Sequence, residues 1–287
     1  MKAASILTAA LLSTTALAGT AQAQDVKIEN AVARVIVLVE DRTDVAVEID
    51  QGRADLPVPT VRRRGDRIEI EGNLPRRAIR SCRSGRAGGS QPGEGASVDV
   101  RGKGRINLED APLIVIHAPR DVDLGVSGAV YGTVGRGARS VDFGNAGCGD
   151  WMVANVDGQV DLSLVGSGDS IIGTSGALNI SIGGSGDVRA GATRDLDISI
   201  GGSGDVEIAG VNGPVDLSVA GAGDLLIRGG NAPTMDISIA GAGDVEFRGT
   251  VGDLDVSIVG AGDVDIDRVT GRVSRSVLGA GDISIGH

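Results

Sequence analysis

Asp197-Ile198-Ser199-Ile200-Gly201-Gly202-Ser203-Gly204-Asp205-Val206-Glu207-Ile208 is the stretch that decides the fold. Apolar and polar residues alternate on both sides of a glycine-rich turn, the period-2 signature of two short strands with one buried face each. The turn, Gly-x-Gly-Asp, returns with aspartates at Asp150, Asp169, Asp187, Asp205, Asp224, Asp244, Asp263 and Asp282, spaced by 19, 18, 18, 19, 20, 19 and 19 residues. A fixed short period means one unit stacked on copies of itself. A unit this small cannot bury its apolar face alone, but a stack can. The reading is therefore all-β: a single-stranded parallel β-solenoid of about 19 residues per coil, right-handed by the usual crossover preference. Leu162, Ile180, Ile198, Leu217, Ile237 and Val256 are expected to stack inside. Coils spaced by roughly 4.8 Å make the region 121–287 a rod on the order of 40 Å long. The turn glycines are expected where the backbone needs φ > 0.

Composition agrees. The chain has 47 glycines among 287 residues and one Trp, one Tyr and two Phe, and a narrow solenoid has room mainly for small branched side chains. At 41% apolar it is not a disordered chain. Residues 1–23 read as a secretory signal: Lys2, the apolar run Ile6 to Ala18, and a small-residue cleavage site at Ala21-Gln22-Ala23. The run is too short to span a bilayer as a helix. The expectation is export through a cleaved signal peptide, to the periplasm or the cell surface, with no transmembrane segment in the mature chain. Two cysteines, Cys82 and Cys148, fit an oxidising compartment; they read either as a disulfide or as two unpaired thiols.

Residues 24–120 read as an irregular β region with candidate strands at 32–40, 44–50, 67–71, 97–101 and 113–117 and an Arg/Gly-rich loop at 72–96. They form early solenoid coils in one reading and a separate small β-domain in the other. Charge divides the chain at the same place. Residues 24–120 carry 17 Lys/Arg against 15 Asp/Glu, whereas residues 121–287 carry 9 against 23. Arg62, Arg63, Arg64, Arg67, Arg76, Arg77, Arg80, Arg83 and Arg86 form a basic cluster, read as a patch for an anionic polymer or as a solvated loop offsetting nearby acids. The acidic rod argues against nucleic acid as a partner.

Two surface ladders carry the candidate chemistry. One is the turn-aspartate column. The other is Asp161, Asn179, Asp197, Asp216, Asp236 and Asp255, with Ser163, Ser181, Ser199, Ser218, Ser238 and Ser257 two residues on. Like carboxylates about 5 Å apart either recruit cations, as weak Ca²⁺ sites would, or close their turns by accepting backbone N–H groups. The Asp does not sit where the calcium-binding nonapeptide Gly-Gly-x-Gly-x-Asp-x-U-x puts it, and the period is twice as long. Turn closure is therefore the preferred reading, with no cofactor beyond weak Ca²⁺. Catalysis has little support: His117 and His287 are the only histidines, and neither falls in a triad pattern.

Asp197-Ile198-Ser199-Ile200-Gly201-Gly202-Ser203-Gly204-Asp205-Val206 and Asp236-Ile237-Ser238-Ile239-Ala240-Gly241-Ala242-Gly243-Asp244-Val245 resemble the auto-transporter adhesin head domain called the GIN domain, a bacterial exported β-solenoid of unknown function. The resemblance covers residues 121–287 well and residues 24–120 loosely. It implies a non-catalytic binding, adhesion or structural module of the cell envelope, with an envelope or surface protein or polymer as partner. The alternative is a β-helix enzyme acting on a polysaccharide. No membrane β-barrel is expected to follow the last coil of this sequence. In that coil, Val273-Ser274-Arg275-Ser276-Val277 puts Arg275 where earlier coils have Ile, Leu or Val. A lone buried guanidinium is costly, so Arg275 is expected to reach solvent over an open end.

Overall fold

The computed structural model describes residues 25–85 and 91–286; the signal read at residues 1–23, Arg86 and His287 lie outside them. The described chain is all-β, a parallel solenoid of about 9 turns with about 19 residues per coil.

The N-terminal strands do not stack in chain order. β1 (Asp25–Val39), β2 (Ala46–Asp50), β3 (Thr60–Arg64) and β4 (Arg67–Glu71) come first, then β5 (Ile79–Arg83), β6 (Ser97–Val100), β7 (Gly104–Asn107) and β8 (Leu113–Ala118). β1 pairs in parallel with β4 and β8 on one side and with β9 (Asp121–Val134) on the other. It is thus an interior rung. The outer coil, β4 with β8, is closed by antiparallel strands, β3 on β4 and β2 on β8. All five residues of β3, Thr60-Val61-Arg62-Arg63-Arg64, are exposed, and a charged, reversed edge does not template another parallel strand.

Beyond β9 the chain alternates between two faces. β10 (Ser140–Asn145) precedes β11 (Trp151–Val153), β12 (Gln159–Leu164) precedes β13 (Ser170–Ile172), and β14 (Ala177–Ile182) precedes β15 (Val188–Thr193). β16 (Asp195–Ile200) and β17 (Val206–Asn212) follow, then β18 (Val215–Val219) and β19 (Leu225–Ile227). β20 (Gly230–Ile239), β21 (Val245–Gly260), β22 (Val264–Val269), β23 (Val273–Gly279) and β24 (Ile283–Ile285) complete the stack. Leu162, Ile180, Ile198, Leu217, Ile237 and Val256 pair in unbroken register, and all six are buried. Each contributes about 1.5–3 kcal/mol by leaving water. Val256 pairs with Arg275, yet every residue of β23 is exposed, including Val273, Val277 and Leu278. The last coil has core on one side only, and its guanidinium lies in the open.

Two expectations need correction. The 72–96 region is not one loop: it contains β5, which pairs antiparallel with β6, and β6 with β7, in a separate three-stranded sheet. β3 also lay outside the expected strands. The repeat glycines, moreover, are mostly not at positive φ; of the Gly-x-Gly-Asp glycines only Gly260 and Gly279 are. Their reason is stacking. A Cβ on Gly184, Gly202 or Gly221 would come within 1.9 Å of the carbonyl oxygen of the glycine one coil before.

The three-stranded sheet covers a patch of the rod near its capped end. Val98, Val100, Ile106 and Leu108 pack with Ala129 and Tyr131 as a second buried cluster, and Cys82 and Cys148 join the two layers through a disulfide.

Candidate functional site

The corner between the two faces is itself hydrogen-bonded from coil to coil. The residue between the two turn glycines donates its amide to the first turn glycine of the preceding coil: Ser185 to Gly166 at 3.0 Å, Ser203 to Gly184 at 3.0 Å, Ala222 to Gly202 at 3.1 Å. The aspartate that follows is tied on both sides. Asp205 donates its amide to Oδ1 of Asp187 at 3.0 Å and, through its own Oδ1, accepts the amide of Asp224 at 2.9 Å. The same link joins Asp150 to Asp169, Asp169 to Asp187, Asp224 to Asp244, Asp244 to Asp263, and Asp263 to Asp282, at 2.8–3.1 Å. The acceptor role thus lies between coils and not within the Asp's own turn, because register brings the next amide directly over each carboxylate. Among the described residues the Oδ2 atoms of this column make no hydrogen bond, so each coil presents a spare carboxylate oxygen.

The column borders the outer side of the second face. Asp187, Asp205, Asp224 and Asp244 flank an open groove whose other wall carries Arg189, Glu207, Leu226 and Glu246. Hydrogen-bonding and charge from Arg228 hold the Glu207 carboxyl below its usual range. At the capped end the groove runs into a cleft of about 190 Å³ whose described walls are residues 84–85 and 91–94 on one side and the rod on the other. There, burial pushes the Asp150 carboxyl above its ordinary value; the Asp169 charge adds to this, while the Asp169 amide and Ser84 hydroxyl oppose it. Burial and the Asp150 charge also push up the Tyr131 hydroxyl.

The second column runs in register on the outer side of the first face, Asp161–Asn179–Asp197–Asp216–Asp236–Asp255, and extends back to Asp142 and Asp123. Ser163, Ser181, Ser199, Ser218, Ser238 and Ser257 form a parallel file two residues along. Asn179 breaks the run of charge, donating from Nδ2 to Oδ1 of Asp161 at 2.6 Å. Toward the capped end, burial raises the carboxyls of both Asp123 and Asp142, and neighbouring carboxylates add to it.

Among the described residues the strand-borne arginines of the basic run divide between two sheets. Arg62, Arg63 and Arg64 lie on the end strand β3, whereas Arg80 and Arg83 lie on β5 of the separate sheet. Arg64 is 3.0 Å from Glu69, and Arg67 pairs with Asp25. His117 Nδ1 is 2.9 Å from Glu40, with no hydroxyl or thiol in its hydrogen-bonding set. Among the described residues no three His, Cys, Asp or Glu come together to hold a metal ion, and no helix is long and apolar enough to cross a membrane. Sequence reading missed Tyr131 and the cleft. Tyr131 is buried by a covering sheet rather than by the rod's own alternation, so periodicity carries no sign of it.

No curated protein matches this chain. Its last coils, residues 210–286, match the model of the family described as "Putative auto-transporter adhesin, head GIN domain".

Proposed function

We propose that this chain is a non-catalytic binding module of the bacterial cell envelope, exported through a cleaved signal peptide and presenting its acidic side to a surface protein or polymer. The observation that carries the reading is the turn-aspartate column: one backbone-anchored carboxylate per coil, each with an oxygen to spare, along a straight groove. Anchoring removes side-chain freedom before any partner arrives, which lowers the ordering cost of binding. Equal sites at strand spacing suit an extended partner contacted many times weakly, where avidity does the work. The Cys82–Cys148 disulfide fits an oxidising compartment, and the family match fits an adhesin-like role. Ion binding by the same oxygens is a weak secondary property on this reading. The polysaccharide-cleaving alternative needs one acid–base set in a cleft, and the columns repeat evenly instead.

The test is capture from envelope extract by immobilised residues 24–287, compared with the combined variant Asp187→Asn, Asp205→Asn, Asp224→Asn and Asp244→Asn. Salt-sensitive capture by the wild type that the variant loses supports the reading. Equal capture by both sinks the role of the column, and release of reducing ends from envelope polysaccharide favours the enzyme.

A further inference from the structure

Arginines of the two N-terminal sheets meet at the capped end through the segment that joins those sheets. β4 leads through residues 72–78 into β5. On one side this segment is tied to β3 and the loop before it: Asn73 donates from Nδ2 to the Val58 carbonyl oxygen at 2.8 Å and reaches the Thr60 hydroxyl at 3.5 Å. On the other side the Arg101 amide donates to the Ala78 carbonyl oxygen at 2.8 Å, which sets the turn between β6 and β7 beside it. Arg62, Arg76, Arg77 and Arg101 thereby share one exposed patch, and none of the four has an ion pair among the described residues.

On the rod, by contrast, Arg139, Arg228, Arg248 and Arg272 each stand against a carboxylate. The acids nearest the patch are already matched. Lys103 holds Asp55 at 2.7 Å, Arg64 holds Glu69 at 3.0 Å, and the Asn30 side-chain amide donates to Glu71 at 2.9 Å. Asp99 lies opposite Arg105 across β6 and β7. Asp66 lies at the far tip of the β3–β4 hairpin, and Glu48 and Asp50 lie on β2, which continues the other face of the rod. No residue outside the described ranges carries an acidic side chain, so the positive charge of the patch stands unanswered.

Two further observations bear on what the patch meets. Val58 and Val61 stand in it at 65% and 47% exposure. Arg77 holds φ at 59°, in the left-handed region, as the third residue of a turn closed by the Ala78 amide on the Pro75 carbonyl oxygen at 3.0 Å. Glycine or asparagine fits that position at lower cost. Arginine there strains the backbone while keeping a guanidinium exposed, and strain of this kind collects at functional surfaces. Guanidiniums suit phosphate oxygens, and exposed valines among them suit the boundary between headgroups and acyl chains. A soluble polyanion would use the arginines and leave the valines in water.

We propose that this patch docks the capped end of the rod on an anionic phospholipid surface. Arg62, Arg76, Arg77 and Arg101 meet headgroup phosphates, and Val58 and Val61 enter the headgroup–acyl boundary. The acidic rod is repelled by the same surface, which turns its open end away. The inference goes beyond the binding-module reading: it uses a different surface, and it stands or falls without the aspartate column.

The experiment is co-sedimentation of the mature chain with vesicles of phosphatidylcholine alone and of equimolar phosphatidylcholine and phosphatidylglycerol. Binding is expected to the mixed vesicles only, and to weaken as salt is raised. Arg76→Gln combined with Arg77→Gly should weaken it about 25-fold, about fivefold for each charge. The melting temperature should not fall, because glycine relieves the left-handed position. Val58→Ser combined with Val61→Ser leaves the net charge unchanged and should weaken binding about tenfold. Arg268→Gln combined with Arg272→Gln makes the same charge change on the rod and should leave binding nearly unchanged. Absence of binding to the mixed vesicles, or equal weakening by the rod pair, overturns the proposal. So does full binding by the valine pair, which would assign the patch to a soluble polyanion; titration with polyphosphate then measures that binding directly.

Discussion

Gly201 and Gly202 are neighbours in one turn, and alanine is expected to behave oppositely at the two. A Cβ on Gly201 meets its nearest atom, the Ile182 carbonyl oxygen, at 3.7 Å, an ordinary contact. A Cβ on Gly202 meets the Gly184 carbonyl oxygen at 1.9 Å. That oxygen is backbone and accepts the Ser203 amide at 3.0 Å, so it cannot swing aside as a side chain would. Neither glycine has a left-handed φ, which leaves the contact as the only difference. Relief requires the two coils to part by more than an ångström at that corner. Overpacking of this kind costs about 1–3 kcal/mol and the stretched inter-coil hydrogen bond about another 1 kcal/mol. Gly202→Ala is therefore expected to destabilise by about 2–4 kcal/mol. Gly201→Ala should fall within about 0.5 kcal/mol of wild type, or gain slightly by restricting the unfolded chain. The chain carries its own precedent, with Ala220, Ala240, Val259 and Leu278 at the Gly201 position of later coils and only glycine at the Gly202 position. Urea denaturation followed by circular dichroism measures both variants. Two midpoints that coincide would refute the claim that close approach of backbones selects these glycines.

Asp123 ought to show its perturbed carboxyl in the pH dependence of stability. Burial first, then Asp25 and Asp142, raise it above 3.8, with Arg67 opposing. Between the unfolded and the folded value the folded state holds more protons, so this group's contribution falls as pH rises through that window. Asp123→Asn is expected to raise the denaturation midpoint at pH 7 and to lose that advantage below about pH 4; a gain of equal size at pH 3 would contradict the assignment. Adding or chelating millimolar Ca²⁺ should leave the melting temperature nearly unchanged if the turn carboxylates serve chiefly as acceptors for amides, and a rise above about 10 °C would favour an ion ladder. Arg275→Ile should increase self-association, because it completes an apolar file between the exposed Val273 and Val277; light scattering that finds both proteins equally monomeric at one concentration would refute it.

The solenoid was legible because one apolar file repeats without a gap. Leu162, Ile180, Ile198, Leu217, Ile237 and Val256 keep one spacing and one face, and parallel register follows from that alone. The N-terminal cap and the covering sheet were not legible, for the opposite reason. Arg62-Arg63-Arg64 and Arg80-Ser81-Cys82-Arg83 form strands by pairing with a neighbour and show no apolar alternation of their own. The turn aspartates were readable as ladder members, but which amide each would accept depended on the vertical register of one coil over the next. Tyr131 was hidden further still, since Ala129, Val130 and Tyr131 are consecutive and all buried. Strands buried on both sides leave no period to read.

The position of β1 sets the order in which the rod can assemble. Every strand after β9 finds its partner about one coil upstream, so each new turn closes a loop of fewer than about two dozen residues, and that cost barely changes from coil to coil. β1 is different. Its neighbours are Ile68 and Ile70 on one side and Leu124 and Val126 on the other, so its two sides are not both covered until residues near 134 have been made. Assembly therefore divides into one slow founding step, in which three rungs and their caps come together from distant parts of the chain, and a processive phase in which coils are laid down one after another toward the C-terminus. Coils can be added to or removed from the second phase without disturbing the first.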